Sequence, residues 1–190
     1  MTALLTAVLA IGVLAGCSEK TGGNANTTAP TGGEQTSTAP TSSDSPSGLS
    51  IDKFVSKPCE ILTAAQVAKL GSVRAPQTGS DVLGPLCTWK GQDVIKNSTY
   101  TISVTKDKDV EEMVANVKSD PVFTDHKVDG VRLITSDQTN GEMSCATIIQ
   151  ASKTDSVTLQ VNVAKDERAT KKPCIESETV AKMIIENLKG

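Results

Sequence analysis

Between Ser18 and Ser50 the chain has almost nothing to fold around. Of these 33 residues, 28 are Gly, Ser, Thr, Pro, Ala, Asn or Gln, and Leu49 is the only large apolar side chain. Such a segment buries too little surface to offset the entropy of ordering it, so it predicts a disordered tether. Flexible-chain scaling gives it a root-mean-square span of about 30 Å. Whatever folds must therefore fold from residues 51–190. Within that stretch 18 Lys and Arg face 19 Asp and Glu, a net charge of −1 with both signs interspersed. A nearly neutral domain offers no electrostatic footprint for a phosphate backbone, so nucleic acid is excluded as an expected partner. The apolar runs also fall short of the roughly 18 to 20 residues that span a bilayer.

Residues 1–16 form a separate piece. An apolar stretch from Ala3 to Ala15 has the length of a signal-peptide core, and Leu14-Ala15-Gly16-Cys17 puts small residues just before a cysteine. This resembles the lipobox of bacterial lipoproteins. The resemblance implies that residues 1–16 are a cleaved signal peptide and that Cys17 becomes a new N-terminus carrying diacylglycerol and a palmitate-like acyl chain. Acyl chains on Cys17 would anchor the protein stably in a lipid bilayer. Residues 17–50 are then the lipidated cysteine and its tether, and 51–190 a single extracytoplasmic domain. Residues 1–16 hold no Lys or Arg, which predicts that translation begins upstream of Met1.

With Cys17 set aside, Cys59, Cys87, Cys145 and Cys174 remain, an even number in an exported chain, which predicts two disulfides. The sequence-local pairing, Cys59–Cys87 with Cys145–Cys174, is the first choice. Its rival joins the two Lys-Pro-Cys cysteines, Cys59–Cys174, and the two strand cysteines, Cys87–Cys145. No Cys-x-x-Cys occurs, and cysteines so widely spaced lack the pattern of a zinc site.

Periodicity supplies the elements. Thr63 and Gln66 form a capping-box pair ahead of a helix that Gly71 ends. Residues 72–85, rich in Gly and Pro, read as a loop. Leu86–Lys90 and Tyr100–Thr105 read as strands, and Val110, Met113, Val114 and Val117 mark an amphipathic helix. Strands follow near 127–135, 143–151 and 156–164. The last helix begins between Pro173 and Ser177 and presents Val180, Met183, Ile184 and Leu188 on one face. The order α-β-β-α-β-β-β-α, with alternating strands, predicts an α+β domain: a mainly antiparallel sheet of about five strands with helices packed on it. The core is aliphatic, with 16 Val and 10 Ile in residues 51–190. Lys57-Pro58-Cys59 and Lys172-Pro173-Cys174 each precede a helix with a Val-Ala-Lys run, a weak sign of duplication.

Taken in order, the lipobox, the tether, Pro58-Cys59-Glu60-Ile61-Leu62-Thr63 and Cys87-Thr88-Trp89 resemble a large actinobacterial family of secreted lipoproteins of unknown function. Lys57 stands where that family commonly has an acidic residue. The resemblance implies a compartment, the extracytoplasmic face of the cell membrane, and a fold, but brings no catalytic residues.

Chemistry is sparse. His126, the single histidine, lies near Asp125 and Asp129, yet no Gly-x-Ser-x-Gly elbow exists for it to activate. Asp107, Asp109, Glu111 and Glu112 lack calcium-loop spacing and read as acids complementing a helix dipole. No phosphate loop, dinucleotide fingerprint or Ser-x-x-Lys motif appears, so no cofactor is expected. Asn97-Ser98-Thr99 fits a glycosylation sequon that bacterial export would not ordinarily read. Trp89 and Tyr100 are the candidate lining of a ligand groove. The expected function is a membrane-anchored domain binding an envelope ligand or protein. The alternative is an envelope hydrolase working through carboxylates such as Glu60, Asp81 or Asp129.

Overall fold

The computed structural model describes residues 48–190; the expected signal peptide at 1–16, Cys17 and the expected tether up to residue 47 lie outside the described residues. Seven strands form one sheet: β1 (Gln77–Asp81), β2 (Gly84–Trp89), β3 (Thr99–Thr105), β4 (Val122–Val128), β5 (Val131–Asp137), β6 (Ser144–Gln150) and β7 (Ser156–Asn162). Four helices accompany them: α1 (Asp52–Val55), α2 (Ala64–Lys69), α3 (Val110–Val117) and α4 (Pro173–Leu188). The protein is therefore an α+β domain on an antiparallel sheet, with two more strands than the five expected.

Both extra strands arise from two-residue hairpins. The stretch expected as one strand at 127–135 is two, because Asp129 (φ 52°) and Gly130 (φ 82°) both take left-handed conformations and fold the chain back, pairing Val128 with Val131. That is the turn Asp-Gly favours, since its twist matches that of the flanking strands. The other extra strand, β1, lies inside the expected loop at 72–85. All five of its residues are exposed, so it shows no apolar alternation. Asp81 closes this hairpin by accepting hydrogen bonds from the Leu83 and Gly84 amides at 2.8 and 3.2 Å. Gly84 is required there. Its φ is +132°, and a Cβ on it would overlap the Val104 carbonyl oxygen.

The strand order is β1-β2-β3-β7-β6-β5-β4. After β3 the chain crosses through α3 to the far edge, then returns as a meander until β7 pairs with β3. Alternation along each strand divides the side chains between two faces. One face carries Trp89, Tyr100, Ile102, Leu133, Ile149, Leu159 and Val161 and is covered by Val180, Ala181, Ile184, Ile185 and Leu188 of α4, with Phe54, Ile61 and Leu70 filling its edge. On the other face a smaller core joins Val110 and Val114 of α3 to Ile134 and Ile148.

The capping box at α2 is formed as the sequence predicts: the Gln66 amide donates to Thr63 Oγ1, and the Thr63 amide donates to Gln66 Oε1 at 2.8 Å. Gln66 Nε2 donates to the Met183 carbonyl, and Asn187 Nδ2 donates to Gln66 Oε1 at 2.7 Å, which docks α2 on α4. Among the described residues no helix is long and apolar enough to cross a membrane.

Candidate binding surface

Two disulfides pin helical turns to the covered face of the sheet. Cys59, in a 3-10 turn at Pro58–Ile61, joins Cys87 of β2, and Cys174, in the first turn of α4, joins Cys145 of β6; both Cα–Cα distances are 5.0 Å. In each Lys-Pro-Cys segment the proline opens a helical turn, where its missing N–H costs nothing, and the next residue bridges to a strand. The Val-Ala-Lys runs that follow these segments fall in α2 and α4, and both helices pack into the core on the covered face.

Trp89 and Tyr100 are cross-strand partners at 0% exposure, so neither lines an open groove. The space between sheet and α4 where such a groove was expected is filled by these rings and their aliphatic neighbours. The Tyr100 hydroxyl donates to Glu176 Oε1 at 2.7 Å. Burial, then the hydrogen bond and charge of Glu176, push the phenol far above its ordinary range. Beside it, Lys171 pairs with Glu167 at 2.9 Å, and Glu167 also accepts from the Ser98 hydroxyl and amide. This charged seam holds the chain before α4 against the start of β3.

Asp81 and Asp129, two carboxylates of the hydrolase alternative, do not meet. Glu60 pairs with Lys57 on the surface, Asp81 closes the β1–β2 hairpin and accepts from Ser103 Oγ, and Asp129 sits in the β4–β5 turn. β1 and β4 are opposite edges of the sheet, six strand spacings or about 29 Å apart, against the roughly 5 to 9.5 Å of a glycosidase pair. Asp125 and Asp129 do not orient His126. Arg132 claims Asp125 through two hydrogen bonds at 2.9 and 2.7 Å and also donates to Glu111. His126 instead faces Glu178 of α4 at 3.7 Å, a partner hidden from sequence reading by its distance of 52 positions along the chain. Glu178 accepts from Thr135, which adjoins Thr147 and then the fully buried Ser177. The carboxylate thus stands between imidazole and hydroxyls, the reverse of the order that activates a nucleophile. Asp109 caps α3 by accepting from the Glu111 amide at 2.8 Å, in line with the dipole reading of that acidic cluster. Among the described residues no group of His, Cys, Asp and Glu is arranged to hold a metal ion.

What the fold leaves open is the other face of the sheet. There α3 covers the β5–β6 side, while rows running Thr88-Thr101-Gln160-Ala146 and Thr99-Asn162-Ser144 cross β2, β3, β7 and β6 without a helix above them. All seven side chains are half-buried or exposed, and none is charged. From strand geometry the patch measures about 14 Å by 7 Å. It is held in place by hydrogen-bonded strands and by contacts such as Thr88 Oγ1 to Thr101 Oγ1 at 3.3 Å. The sequence signal for it was the polar half of each alternating strand, which reads equally well as an ordinary solvated face.

These features define a disulfide-braced α+β domain with one sealed and one half-open sheet face. The chain matches, over residues 12–187, the model of a family described as a protein of unknown function, DUF3558, and belongs to that family. No curated protein and no solved structure matches it.

Proposed function

We propose that this chain is a lipid-anchored extracytoplasmic binding protein of the actinobacterial envelope. On this reading residues 1–16 direct export, acylated Cys17 holds the protein in the membrane, and the tether gives the domain reach. The ligand is an uncharged, hydrogen-bonding polymer such as a cell-wall glycan, or an extended segment of an envelope protein, lying on the half-open face. The observation that carries the reading is the uncharged Thr, Gln, Asn and Ser rows on four neighbouring strands. They present hydroxyl and amide groups on a rigid backbone at little entropic cost.

Two measurements test it. Radiolabelled fatty acid should label the wild-type chain in its native host and leave Cys17→Ser unlabelled and released; a labelled Cys17→Ser protein would refute the anchor. Binding to purified cell-wall material should be lost when Thr101→Lys and Gln160→Lys place charge on the patch. Binding unchanged by that pair would refute the face.

A further inference from the structure

Charge in this nearly neutral domain is segregated. The segments 69–76, from the last residue of α2 onward, 90–98 and 163–172 hold 8 Lys and Arg against 3 acidic residues, a net of +5, which leaves −6 on the rest of residues 51–190. Hydrogen bonds stitch these segments together. The Arg74 amide donates to the Lys90 carbonyl at 2.7 Å, Gln92 to Ser72 at 3.0 Å, Asp166 to Ile95 at 3.1 Å, and Ala164 to Ser98 Oγ at 3.2 Å. They therefore form one surface at the end of the sheet where β2 and β7 finish. Lys69, Lys90, Lys165 and Lys172 are exposed there and pair with no carboxylate among the described residues.

The same end gathers the exposed apolar side chains. Among the described residues five large hydrophobic side chains stand out in water: Val94 and Ile95 at 68% and 56% exposure, Met143 at 51%, Ile175 at 68%, and Val82 at 84%. All but Val82 lie on the loops or first helical turn at this end. Val94 and Ile95 sit on the 90–98 loop itself, between Lys90 and Lys96. Met143 is tied to the patch by the Val163 amide, which donates to its carbonyl at 2.8 Å, and Ile175 follows Lys172 into α4. Glu142 is the acid on the neighbouring loop.

Aliphatic side chains standing proud of a cationic rim match an anionic membrane surface. The apolar groups enter the boundary between headgroups and acyl chains while lysines meet the lipid phosphates. We propose that this end of the domain docks on an anionic bilayer, with Val94 and Ile95 inserting, Lys69, Lys90, Lys165 and Lys172 pairing with headgroups, and Lys96, now 3.8 Å from the exposed Asp93, exchanging that partner for a headgroup. The proposal rests on the membrane-anchored reading for its setting, and the geometry suits it. The chain enters the domain at the opposite end, where the Ser50 amide donates to the Leu188 carbonyl at 3.1 Å. The 16 residues of α4 between the two ends span about 24 Å. The tether's span of about 30 Å covers that distance, so the anchor and the patch can engage one bilayer.

The test is sedimentation of the full chain bearing Cys17→Ser with vesicles of phosphatidylcholine alone or mixed equally with phosphatidylglycerol. Binding is expected only with the mixed vesicles and should weaken with salt. Lys90→Glu with Lys96→Glu, or Val94→Asp with Ile95→Asp, should each lower it at least about tenfold. Equal binding to both vesicles, or binding that neither double variant changes, would attribute it to another part of the chain and overturn the proposal. Retention by soluble polyphosphate without vesicle binding would overturn it in favour of an anionic polymer. These sites are exposed, and unchanged Trp89 fluorescence verifies folding. Fatty-acid labelling of Cys17 is read independently, so the patch and the anchor fail separately.

Discussion

Removing Cys59–Cys87 by Cys59→Ala with Cys87→Ala, and Cys145–Cys174 by Cys145→Ala with Cys174→Ala, should cost nearly the same stability. The bridges close loops of 28 and 29 residues. In the chain-entropy treatment each withdraws about 3.6 kcal/mol of freedom from the unfolded chain at 25 °C. For a domain of this size that is a fall in Tm of about 10 to 14 °C. Removing both should cost about 7 kcal/mol, comparable to the whole stability of an ordinary domain, and leave the chain largely unfolded at 37 °C. Trp89 supplies the assay. It is the only tryptophan, it is fully buried, and it lies two residues from Cys87, so its fluorescence in a urea titration follows loss of the main core. If either double variant lies within about 1 kcal/mol of the wild type, or the two differ by more than about 2, loop closure is not what these bridges contribute.

Two further outcomes follow from the hairpins and from a buried carboxylate. Gly84→Ala should destabilise by more than about 3 kcal/mol, because left-handed strain adds to collision with a central-strand carbonyl, whereas Gly130→Ala, with nothing within 4 Å of the new Cβ, should cost only about 1 kcal/mol; equal urea midpoints would refute the distinction. Burial pushes the Asp137 carboxyl up, but hydrogen bonds from the Thr139 and Ser144 hydroxyls and the Thr139 and Gly141 amides outweigh it and hold its pKa below the usual value. A depressed folded pKa contributes stability that is present above the unfolded value of about 3.9 and lost as pH falls through the folded one, so Asp137→Asn should flatten the stability profile below about pH 4. An acid limb identical to the wild type would contradict it.

Sequence and structure agree where a signal is local and strong. Thr63 and Gln66 announce α2, and the 3.6-residue spacing of Val110, Met113, Val114 and Val117 announces α3. Alternation at Val157, Leu159 and Val161 marks β7, the strand buried at the centre of the sheet. β1 was not legible because an edge strand with every side chain in water needs no apolar pattern. β4 and β5 merged into one expected strand because Asp129-Gly130 breaks the alternation by only two residues. The candidate surfaces were harder still. A charge sum near zero hides +5 on three segments against −6 on the remainder, and those segments are scattered between residues 69 and 172.

By itself the sequence determined that the core is aliphatic and the class α+β. Those follow from composition and periodicity, which are properties of short windows. Only the tertiary structure decided that Trp89 and Tyr100 are core rather than groove and that Glu178, not Asp125, faces His126. It also separated Asp81 from Asp129 by the width of a sheet and left the Thr-rich face half uncovered. Each of these depends on strand order and on which face a helix covers, and both are set by the packing of segments far apart in the chain.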